Sequence, residues 1–516
     1  MNVLFPSILG RASLALGLAA GLSTVTAVRA DIRMPSIFSD HMVLQAGLKG
    51  LPIWGTADEA EEVTVQFQGQ RGTVKTKDGK WMIRLNPLAT SATPETLKVS
   101  GKNRLEFKDV LVGEVWICSG QSNMELAMSN SFEPQTDIEK SNNPNIRLYT
   151  VPKTKANEPL DDVKSSWLDC KPYNVRFFSA VGYYFGRELQ KSMDVPVGLI
   201  HTSWGGSPAE VWMSQPSLEA KPEYLLDIVV AYDDQYAKYK EAKAKYDAET
   251  DALKKKGEQQ KAKAPNAPYW KPAELYNGMI HPIAPYGVKG AIWYQGESNA
   301  GRAAQYRTLF PDMIKNWRQT WGQLDFTFLA VQLAPFMKIE TEPTESQWAE
   351  LREAQNLATK VLPKVGVAVI TDVGDEKDIH PKKKGPVGER LAVAARGIAY
   401  GQKIVYSGPT YKSMTVKTDK VAGDRVILTF DHVGSGLEAR DGELKGFAIC
   451  GADKKFVWGK AEILPDNKIA VSHPDIKKPT AVRFGWANYP VVNLWNKDGD
   501  KDGLPASPFR TDEPKK

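Results

Sequence analysis

Two kinds of hydrophobic pattern alternate along this chain of 516 residues. Over residues 31–112, apolar and polar positions alternate in short runs, as in 62–68 and 80–85, and turn-forming residues separate the runs. Strict alternation over a few residues is typical of half-buried strands. We therefore predict an all-β module, a β-sandwich, over residues 31–112.

Between residues 113 and 401, continuous apolar runs alternate with segments of helical periodicity. Strands that alternate with helices form parallel sheets covered on both faces, so this stretch predicts an α/β domain. Ligands of such sheets bind beyond the carboxyl ends of the strands. The predicted strands are 115–118, 146–151, 197–201, 291–294, 326–332 and 365–370. The predicted helices are 180–191, 306–321, 346–358 and 387–400.

A charged insertion interrupts the α/β domain near residues 220–272. Residues 238–263 are rich in Lys, Ala and Glu, and tyrosines precede and enter this part at a rough helical spacing. We predict a solvated helical arm, with a lid or a dimer contact as alternatives. Short alternating segments return after the α/β domain ends at residue 401, and they predict a second β module over residues 402–516.

Composition and charge narrow the class of protein. The chain has 67 Lys and Arg against 61 Asp and Glu, a net charge of +6. Residues 1–30 contain Arg11 and Arg29 and no acid, so the remainder has 65 basic and 61 acidic side chains, or +4. Such a balance argues against a nucleic-acid-binding protein.

The first 30 residues have the pattern of a signal peptide. They lack acidic residues, positions 14–28 are apolar and rich in small side chains, and Val28-Arg29-Ala30 suits a signal-peptidase site. A membrane anchor is the alternative, although Gly17 and Gly21 interrupt a short run. We expect secretion or export to the periplasm after cleavage near Ala30, with no membrane span in the mature chain.

The sequence predicts no metal site and no cofactor. Cys118, Cys170 and Cys450 form no CxxC pair, and the sequence has no HExxH motif. Residues 498–503 begin like a calcium-binding loop, but Phe509 takes the place of the acid at position twelve. We therefore expect a solvated acidic turn there, with a calcium site as the alternative.

The candidate nucleophile is Ser122, in the stretch Gly120-Gln121-Ser122-Asn123-Met124. It follows the predicted strand 115–118 and precedes apolar residues that predict a helix. A serine at a strand-to-helix turn lies at the mouth of a sheet, where a helix N-terminus can stabilise an anion. Taken alone, the stretch is more typical of a polar turn with a helix cap.

The candidate base is His380, which follows a predicted strand in an Asp-x-His-Pro motif. Asp378 or Asp375 could accept a hydrogen bond from one ring nitrogen and leave the other to take the serine proton. His201 and His281 also lie at a strand end or in a loop of the α/β domain, and they remain alternatives.

Two further strand ends offer hydrogen-bond donors for an oxyanion. Gly205 and Gly206 follow the predicted strand 197–201, and consecutive glycines let backbone N–H groups approach a ligand closely. Gln295 and Asn299 follow another strand, and a side-chain amide there can donate to a developing negative charge.

Together, these motifs resemble the sialate O-acetylesterase-like family of the SGNH hydrolase superfamily. The resemblance is carried by GEVWICSGQSNMEL, HTSWGGSPAEVWMS, YNGMIHPIAPYGVKGAIWYQGESNA, DIHPKKKGPVGERLA and, nearer the ends, PSIFSDHMVLQ and FGWANYPVVNLWN. It implies a flavodoxin-like three-layer α/β/α domain and carboxyl-ester hydrolysis. The implied nucleophile is Ser122 and the implied base is His380. The implied oxyanion donors are the N–H of Gly205 or Gly206 and the side-chain amide of Gln295, with Asn299 as the alternative to Gln295.

The resemblance leaves the acid and the substrate open. The superfamily often spaces its acid and histidine as DxxH, but Lys377 takes that place here, so Asp378, Asp375 and a Ser–His dyad all remain possible. The implied substrate is an O-acetylated sugar, most directly sialic acid, with acetylxylan or another polysaccharide as the alternative. A non-catalytic carbohydrate-binding protein is the alternative of another class. An α/β-hydrolase is disfavoured because Ser122 lacks the second glycine of GxSxG.

Overall fold

A computed structural model describes residues 31–419, 423–498 and 503–513 of the protein. The predicted signal peptide and residues 499–502 of the predicted acidic turn lie outside these ranges. The strands are β1 Val43–Gln45, β2 Leu51–Thr56, β3 Glu62–Phe67, β4 Gln70–Lys75, β5 Lys80–Leu85, β6 Ser91–Ser100, β7 Arg104–Gly120, β8 Asn143–Thr150, β9 Trp167–Cys170, β10 Val197–Ser203, β11 Gly290–Tyr294, β12 Thr327–Val331, β13 Val365–Ala368, β14 Thr410–Asp419, β15 Gly423–Asp431, β16 Leu437–Ala439, β17 Phe447–Cys450, β18 Val457–Trp458, β19 Lys460–Ile463, β20 Ile469–Ser472, β21 Ala481–Phe484, β22 Leu494–Asn496 and β23 Phe509–Arg510. The α-helices are α1 Ser122–Glu125, α2 Gln135–Glu139, α3 Pro172–Val175, α4 Ala180–Met193, α5 Gln215–Glu219, α6 Pro222–Tyr224, α7 Ala231–Lys255, α8 Ala303–Trp321, α9 Gln347–Val361 and α10 Gly385–Ile398.

A parallel sheet forms the centre of the molecule. Its strands are hydrogen-bonded in the order β13-β12-β11-β7-β10-β8, and β9 adds an antiparallel edge. If β7, β10, β11, β12 and β13 are numbered 1 to 5 along the chain, their order across the sheet is 2-1-3-4-5, as in flavodoxin-like sheets. Strand order reverses beside β7, so the end of β7 lies where such sheets bind ligands.

Helices cover both faces of this sheet. Trp116 and Cys118 of β7 belong to a hydrophobic cluster with α4 and α10, whereas Val115 and Ile117 belong to a cluster with α8 and α9. Side chains of a strand alternate between its two faces, so a continuous apolar run supplies both clusters. The six strands and four helices predicted for this stretch are present, although β7 is much longer than predicted.

The N-terminal strands continue into the central sheet. β7 has 17 residues; its first half pairs with β6 and its second half pairs with β10 and β11. β6 pairs in turn with β3, and β3 with β4, while β2 and β5 form a separate two-stranded sheet. The boundary predicted between residues 112 and 113 therefore falls inside one strand. The apolar pattern changes there because β7 passes from a half-exposed into a fully buried sheet.

The C-terminal strands surround a hydrophobic cluster of their own. Two four-stranded sheets, β14-β15-β20-β19 and β18-β17-β21-β23, supply most of it.

Arg352 of α9 joins this part to the central sheet. Its fully buried guanidinium donates to the carbonyl oxygens of Leu333, Ala334, Ala487 and Asn488. Four carbonyls thus satisfy a buried cation and connect the two parts.

The predicted helical arm is helix α7, which buries none of its residues. The rings of Tyr232 and Tyr236 stack near its start, with centroids 6.0 Å apart. Within the described ranges, every helix is too short or too polar to cross a lipid bilayer.

The contact between α10 and α4 depends on Gly388. A Cβ atom there would lie 2.5 Å from Tyr184 Cβ and 2.6 Å from the backbone nitrogen of Phe185. We expect Gly388→Ala to lower the free energy of unfolding by about 1–3 kcal/mol, because the added methyl group forces two packed helices apart. Thermal unfolding measures the effect, and Gly385→Ala, at the open start of the same helix, is the matched control. Equal Tm values for the two variants would contradict this account of the contact.

Candidate active site

Ser122 is positioned by the abrupt end of strand β7. Gly120 has a φ of 139°, and a Cβ atom on it would lie 2.1 Å from the carbonyl oxygen of Tyr294, so this approach requires glycine. The N–H of Gln121 donates to the same carbonyl at 2.9 Å, and α1 begins at Ser122. The helix expected here is a single turn that ends at Glu125, so its dipole is small and individual N–H groups matter more.

Ser122 and His380 form a hydrogen bond although 258 positions separate them in the chain. His380 Nε2 lies 2.9 Å from Ser122 Oγ. Ser122 follows β7 and His380 lies in the loop between β13 and α10, so the carboxyl edge of the sheet brings them together. At this distance an imidazole can take the proton of a serine hydroxyl.

Asp378 lies beside the imidazole. Its Oδ1 is 3.4 Å from His380 Nδ1 and also accepts the backbone N–H of His380 at 2.8 Å. Asp375 Oδ1 instead accepts the backbone N–H groups of Lys377 and Asp378, at 2.8 and 3.1 Å, and so shapes the loop. Of the two acids that the sequence leaves open, Asp378 is the one that lies beside the imidazole, and its orienting role remains a prediction.

The surroundings of His380 favour its neutral form. Burial lowers the pKa of His380 below its ordinary value of 6.5; Asp378 acts against this shift, and Lys384 and Lys382 add to it. The imidazole is therefore able to accept a proton at neutral pH and in mildly acidic solution. The hydrogen bond from the His380 N–H is the main cause of a lowered pKa for Asp378, which stays ionised.

The alternative histidines have other partners. His201 is buried, its Nε2 lies 2.6 Å from Ser203 Oγ, and burial lowers its pKa to about 4. His281 Nδ1 lies 2.9 Å from the carbonyl oxygen of Leu160. His380 is therefore the histidine that the fold brings to the candidate nucleophile.

Gly205 packs against Ser122, and its backbone N–H donates a hydrogen bond to the side-chain carboxyl group of Glu125. A Cβ atom on Gly205 would be 3.2 Å from Ser122 Cβ, and the Gly205 N–H donates to Glu125 Oε2 at 2.6 Å. Glu125 Oε1 accepts from Lys153 at 2.5 Å. Gly206 has a φ of 75° and open space around it. Glu125 was not among the residues predicted from the sequence. The signal that could have indicated it is its spacing of three residues from Ser122, which places both side chains on the same face of one helical turn.

Gln295 and Asn299 are buried, and their amides bind protein groups. Gln295 Nε2 donates to Asn299 Oδ1 at 2.6 Å and to the carbonyl oxygen of Ser207 at 3.2 Å, and its Oε1 accepts from Tyr306 at 2.9 Å. Asn299 Nδ2 donates to Glu210 at 3.0 Å. These bonds would have to break before either amide could reach a substrate oxygen. The oxyanion role of Gln295 and Asn299 therefore remains a prediction that this conformation does not favour.

An open cleft of about 520 Å³ contains the reacting groups. Its lining is Ser122, Glu125, Leu126, Ala127, Asn130, Gly205, His380 and Lys382. A second cleft of about 280 Å³ shares His380 and Lys382 with the first and also includes Phe132 and Asp378. Ester substrates can therefore reach the serine from solvent.

One cluster of potential metal ligands in the described ranges lies apart from this cleft. His41, Asp109 and Asp169 offer ligand atoms within 4.8 Å of one another. Arg147 approaches both acids, at 2.9 Å from Asp109 and 3.7 Å from Asp169. Because a bound cation would face this guanidinium, the cluster is better suited to internal ion pairing.

A serine hydrogen-bonded to an imidazole at the switch point of a parallel sheet is the arrangement of a serine ester hydrolase. A sequence model of the family described as carbohydrate esterase, sialic acid-specific acetylesterase, matches residues 112–267 and 264–396. The chain belongs to this family and is a carboxylic ester hydrolase. The resemblance predicted from the motifs is thereby confirmed.

Relatives of this chain extend over nearly its whole length. It is 30% identical over 506 residues to the sialate O-acetylesterase of Mus musculus, covering 89% of this chain and 90% of that protein. It is 27% identical over 525 residues to the sialate O-acetylesterase of Homo sapiens, covering 92% of each. The solved structure of a carbohydrate acetylesterase from Xanthomonas citri matches with a TM-score of 0.78 at 36% identity, covering 93% of this chain and 99% of that one.

The pH dependence of activity tests the placement of Asp378. Asp378→Asn removes the charge that raises the pKa of His380, so the acid limb of kcat/KM for an aryl acetate should move to lower pH. Loss of the orienting carboxylate should also reduce kcat on the plateau, by as much as ~10⁴-fold. Asp375→Asn is the matched comparison. A larger loss for Asp375→Asn, or an acid limb of Asp378→Asn that moves to higher pH, would refute this placement.

Proposed function

We propose that this enzyme removes O-acetyl groups from sugars, with sialic acids as its substrate class and Ser122 as its nucleophile. The observation that carries the proposal is the separation of 2.9 Å between Ser122 Oγ and His380 Nε2 at the switch point of the sheet. The mouse and human relatives, both sialate O-acetylesterases, support the substrate class.

The reaction has two halves. His380 takes the proton of Ser122 as Oγ attacks the acetyl carbonyl carbon, and Asp378 stabilises the imidazolium. His380 then gives this proton to the sugar oxygen as the ester C–O bond breaks, which leaves an acetyl group on Ser122. Water attacks this acetyl-enzyme with His380 again as base, and acetate leaves.

Backbone N–H groups hold the oxyanion in this mechanism. The N–H of Ser122 belongs to the first turn of α1, where N–H groups have no acceptor within the helix. The N–H of Gly205 already binds a Glu125 carboxylate oxygen beside the serine, and the substrate oxyanion takes the place of that oxygen. Gly206 is the other glycine that could donate. A single donor of this kind contributes roughly 3 kcal/mol of transition-state stabilisation.

The proposal extends to architecture and location. Residues 113–401 correspond to the three-layer flavodoxin-like domain of an SGNH hydrolase, with β modules over 31–112 and 402–516, and strand β7 continues from the first β module into this domain. The strand order and the clusters on both sheet faces support this arrangement. Residues 1–30 support export to the periplasm or outside the cell, with cleavage near Ala30.

Acetylated polysaccharides are a second candidate substrate. The structurally similar protein from Xanthomonas citri is a carbohydrate acetylesterase, and its identity to this chain, 36%, exceeds the 30% of the mouse enzyme. The same residues would serve both substrates, because only the leaving sugar differs.

Acetate release from three substrates tests the reaction and the substrate class. The wild type should release acetate faster from O-acetylated sialic acid than from acetylated xylan, and an aryl acetate reports the bare chemistry. Ser122→Ala should lower kcat on all three, on the order of 10⁶-fold. Ser119→Ala, a buried serine on the same strand end, is the matched control. Near-normal turnover by a folded Ser122→Ala variant would refute the nucleophile, and faster release from xylan would favour the second substrate class.

A further inference from the structure

Two ionisable residues, Lys384 and Glu297, lie directly behind the nucleophile, on either side of one amide. Lys384 is 1% exposed, and its Nζ donates to Asn123 Oδ1 at 2.6 Å. Asn123 Nδ2 donates to Glu297 Oε1 at 2.6 Å and to the carbonyl oxygen of Ile379 at 3.0 Å. Asn123 follows the serine and Ile379 precedes the histidine. One amide therefore connects the two segments that carry the reacting groups.

The Asn123 amide has a single orientation that satisfies its neighbours. Its oxygen accepts from Lys384 Nζ, and its two hydrogens are donated to the Glu297 carboxyl group and the Ile379 carbonyl oxygen. If the amide were turned over, its NH₂ group would face Lys384, its oxygen would face Glu297, and both contacts would be unfavourable. Lys384 and Glu297 thus fix the amide from opposite sides.

We propose that Lys384 is a positioning residue that orients Asn123 and thereby holds His380 at hydrogen-bond distance from Ser122. The inference rests on the proposed roles of Ser122 and His380. Without Lys384, the Asn123 oxygen has no donor and the amide can rotate. The carbonyl of Ile379 then loses the bond that ties the histidine loop to the serine turn.

Lys384 keeps its hydrogen bond whether or not it is charged. Burial lowers the pKa of Lys384 to about 7, and Glu297 acts against this shift. The Nζ atom also lies 5.1 Å from the ring centroid of Tyr294, which favours the cation. A neutral amine still donates to Asn123 Oδ1, so positioning persists above the pKa while the effect of the charge fades.

The charge of Lys384 has a second, separable effect on His380. Lys384 and Lys382 both lower the pKa of His380, Asp378 raises it, and Glu125 lines the same cleft. Removing the Lys384 charge should therefore raise the pKa of His380. At pH values where the imidazole is neutral, kcat reaches a plateau, and a fall in this plateau reports the loss of positioning. A shift of the acid limb along the pH axis reports the loss of the Lys384 charge.

Lys384→Met in the full chain tests this role, because it removes the nitrogen and keeps an unbranched stem. We expect kcat for an aryl acetate to fall on the order of 10–100-fold on the plateau, since a small displacement of reacting groups has an effect of about this size. KM should change much less, and the acid limb of kcat/KM should move to higher pH. Lys383→Met, the same change at the exposed neighbouring position, is the matched control and should keep wild-type values.

A double variant separates positioning from charge balance. Lys384→Met leaves Glu297 without its counter-charge and can lower stability for that reason. Lys384→Met/Glu297→Gln removes both charges, and the new amide oxygen can still accept from Asn123. We expect this variant to fold cooperatively and to keep the loss of kcat. Recovery of wild-type kcat in the double variant would show that Lys384 merely balances Glu297, and would overturn the proposal.

Two further outcomes have distinct meanings. If folded Lys384→Met has the kcat and acid limb of the wild type while Ser122→Ala is inactive, the positioning role is wrong and the proposed function stands. If Ser122→Ala retains activity, the proposed function fails, and the positioning role fails with it.

Discussion

The close backbone contact between Gly120 and Tyr294 sets the geometry of this enzyme. β7 must end against β11 with no side chain between them, because a Cβ atom on Gly120 would lie 2.1 Å from the Tyr294 carbonyl oxygen. The chain can then leave the sheet at once, and Ser122 starts a helical turn where the strand order reverses. Placement at this point makes the serine accessible to groups from several other strand ends.

Three strand ends contribute to the surroundings of the serine. The loop after β13 supplies His380, the end of β10 supplies Gly205, and the end of β11 supplies Glu297. The contacts are of two kinds: His380 and Gly205 lie at the open cleft, whereas Glu297 and Lys384 approach from the buried side through Asn123. In the proposed mechanism, the open side exchanges a Glu125 carboxylate for a substrate oxyanion, while the buried contacts of Asn123 keep serine and histidine aligned.

Sequence reasoning found what local pattern and residue chemistry encode. The six predicted strands and four predicted helices of the central domain follow from apolar periodicity. Ser122 and His380 became candidates because several strand-end motifs occur together and resemble a known family; the fold brings the two side chains into contact, and their catalytic roles remain predictions. Contacts that depend on the path of a loop were not predictable: Asp378 lies beside the imidazole because Asp375 folds the loop through two backbone N–H groups. The spacing of Ser122 and Glu125 indicates a shared helical face, but the contact of Glu125 with Gly205, like that of Lys384 with Asn123, joins segments far apart in the chain and was not predictable from it.

Mass spectrometry of the enzyme, quenched rapidly during turnover of an aryl acetate, shows whether Ser122 carries the acetyl group. We expect the peptide that contains Ser122 to gain the mass of one acetyl group and fragmentation to assign this group to Ser122. The His380→Ala variant should not accumulate it. Acetyl transfer to another side chain during turnover, or undiminished acetylation of Ser122 in His380→Ala, would contradict the account.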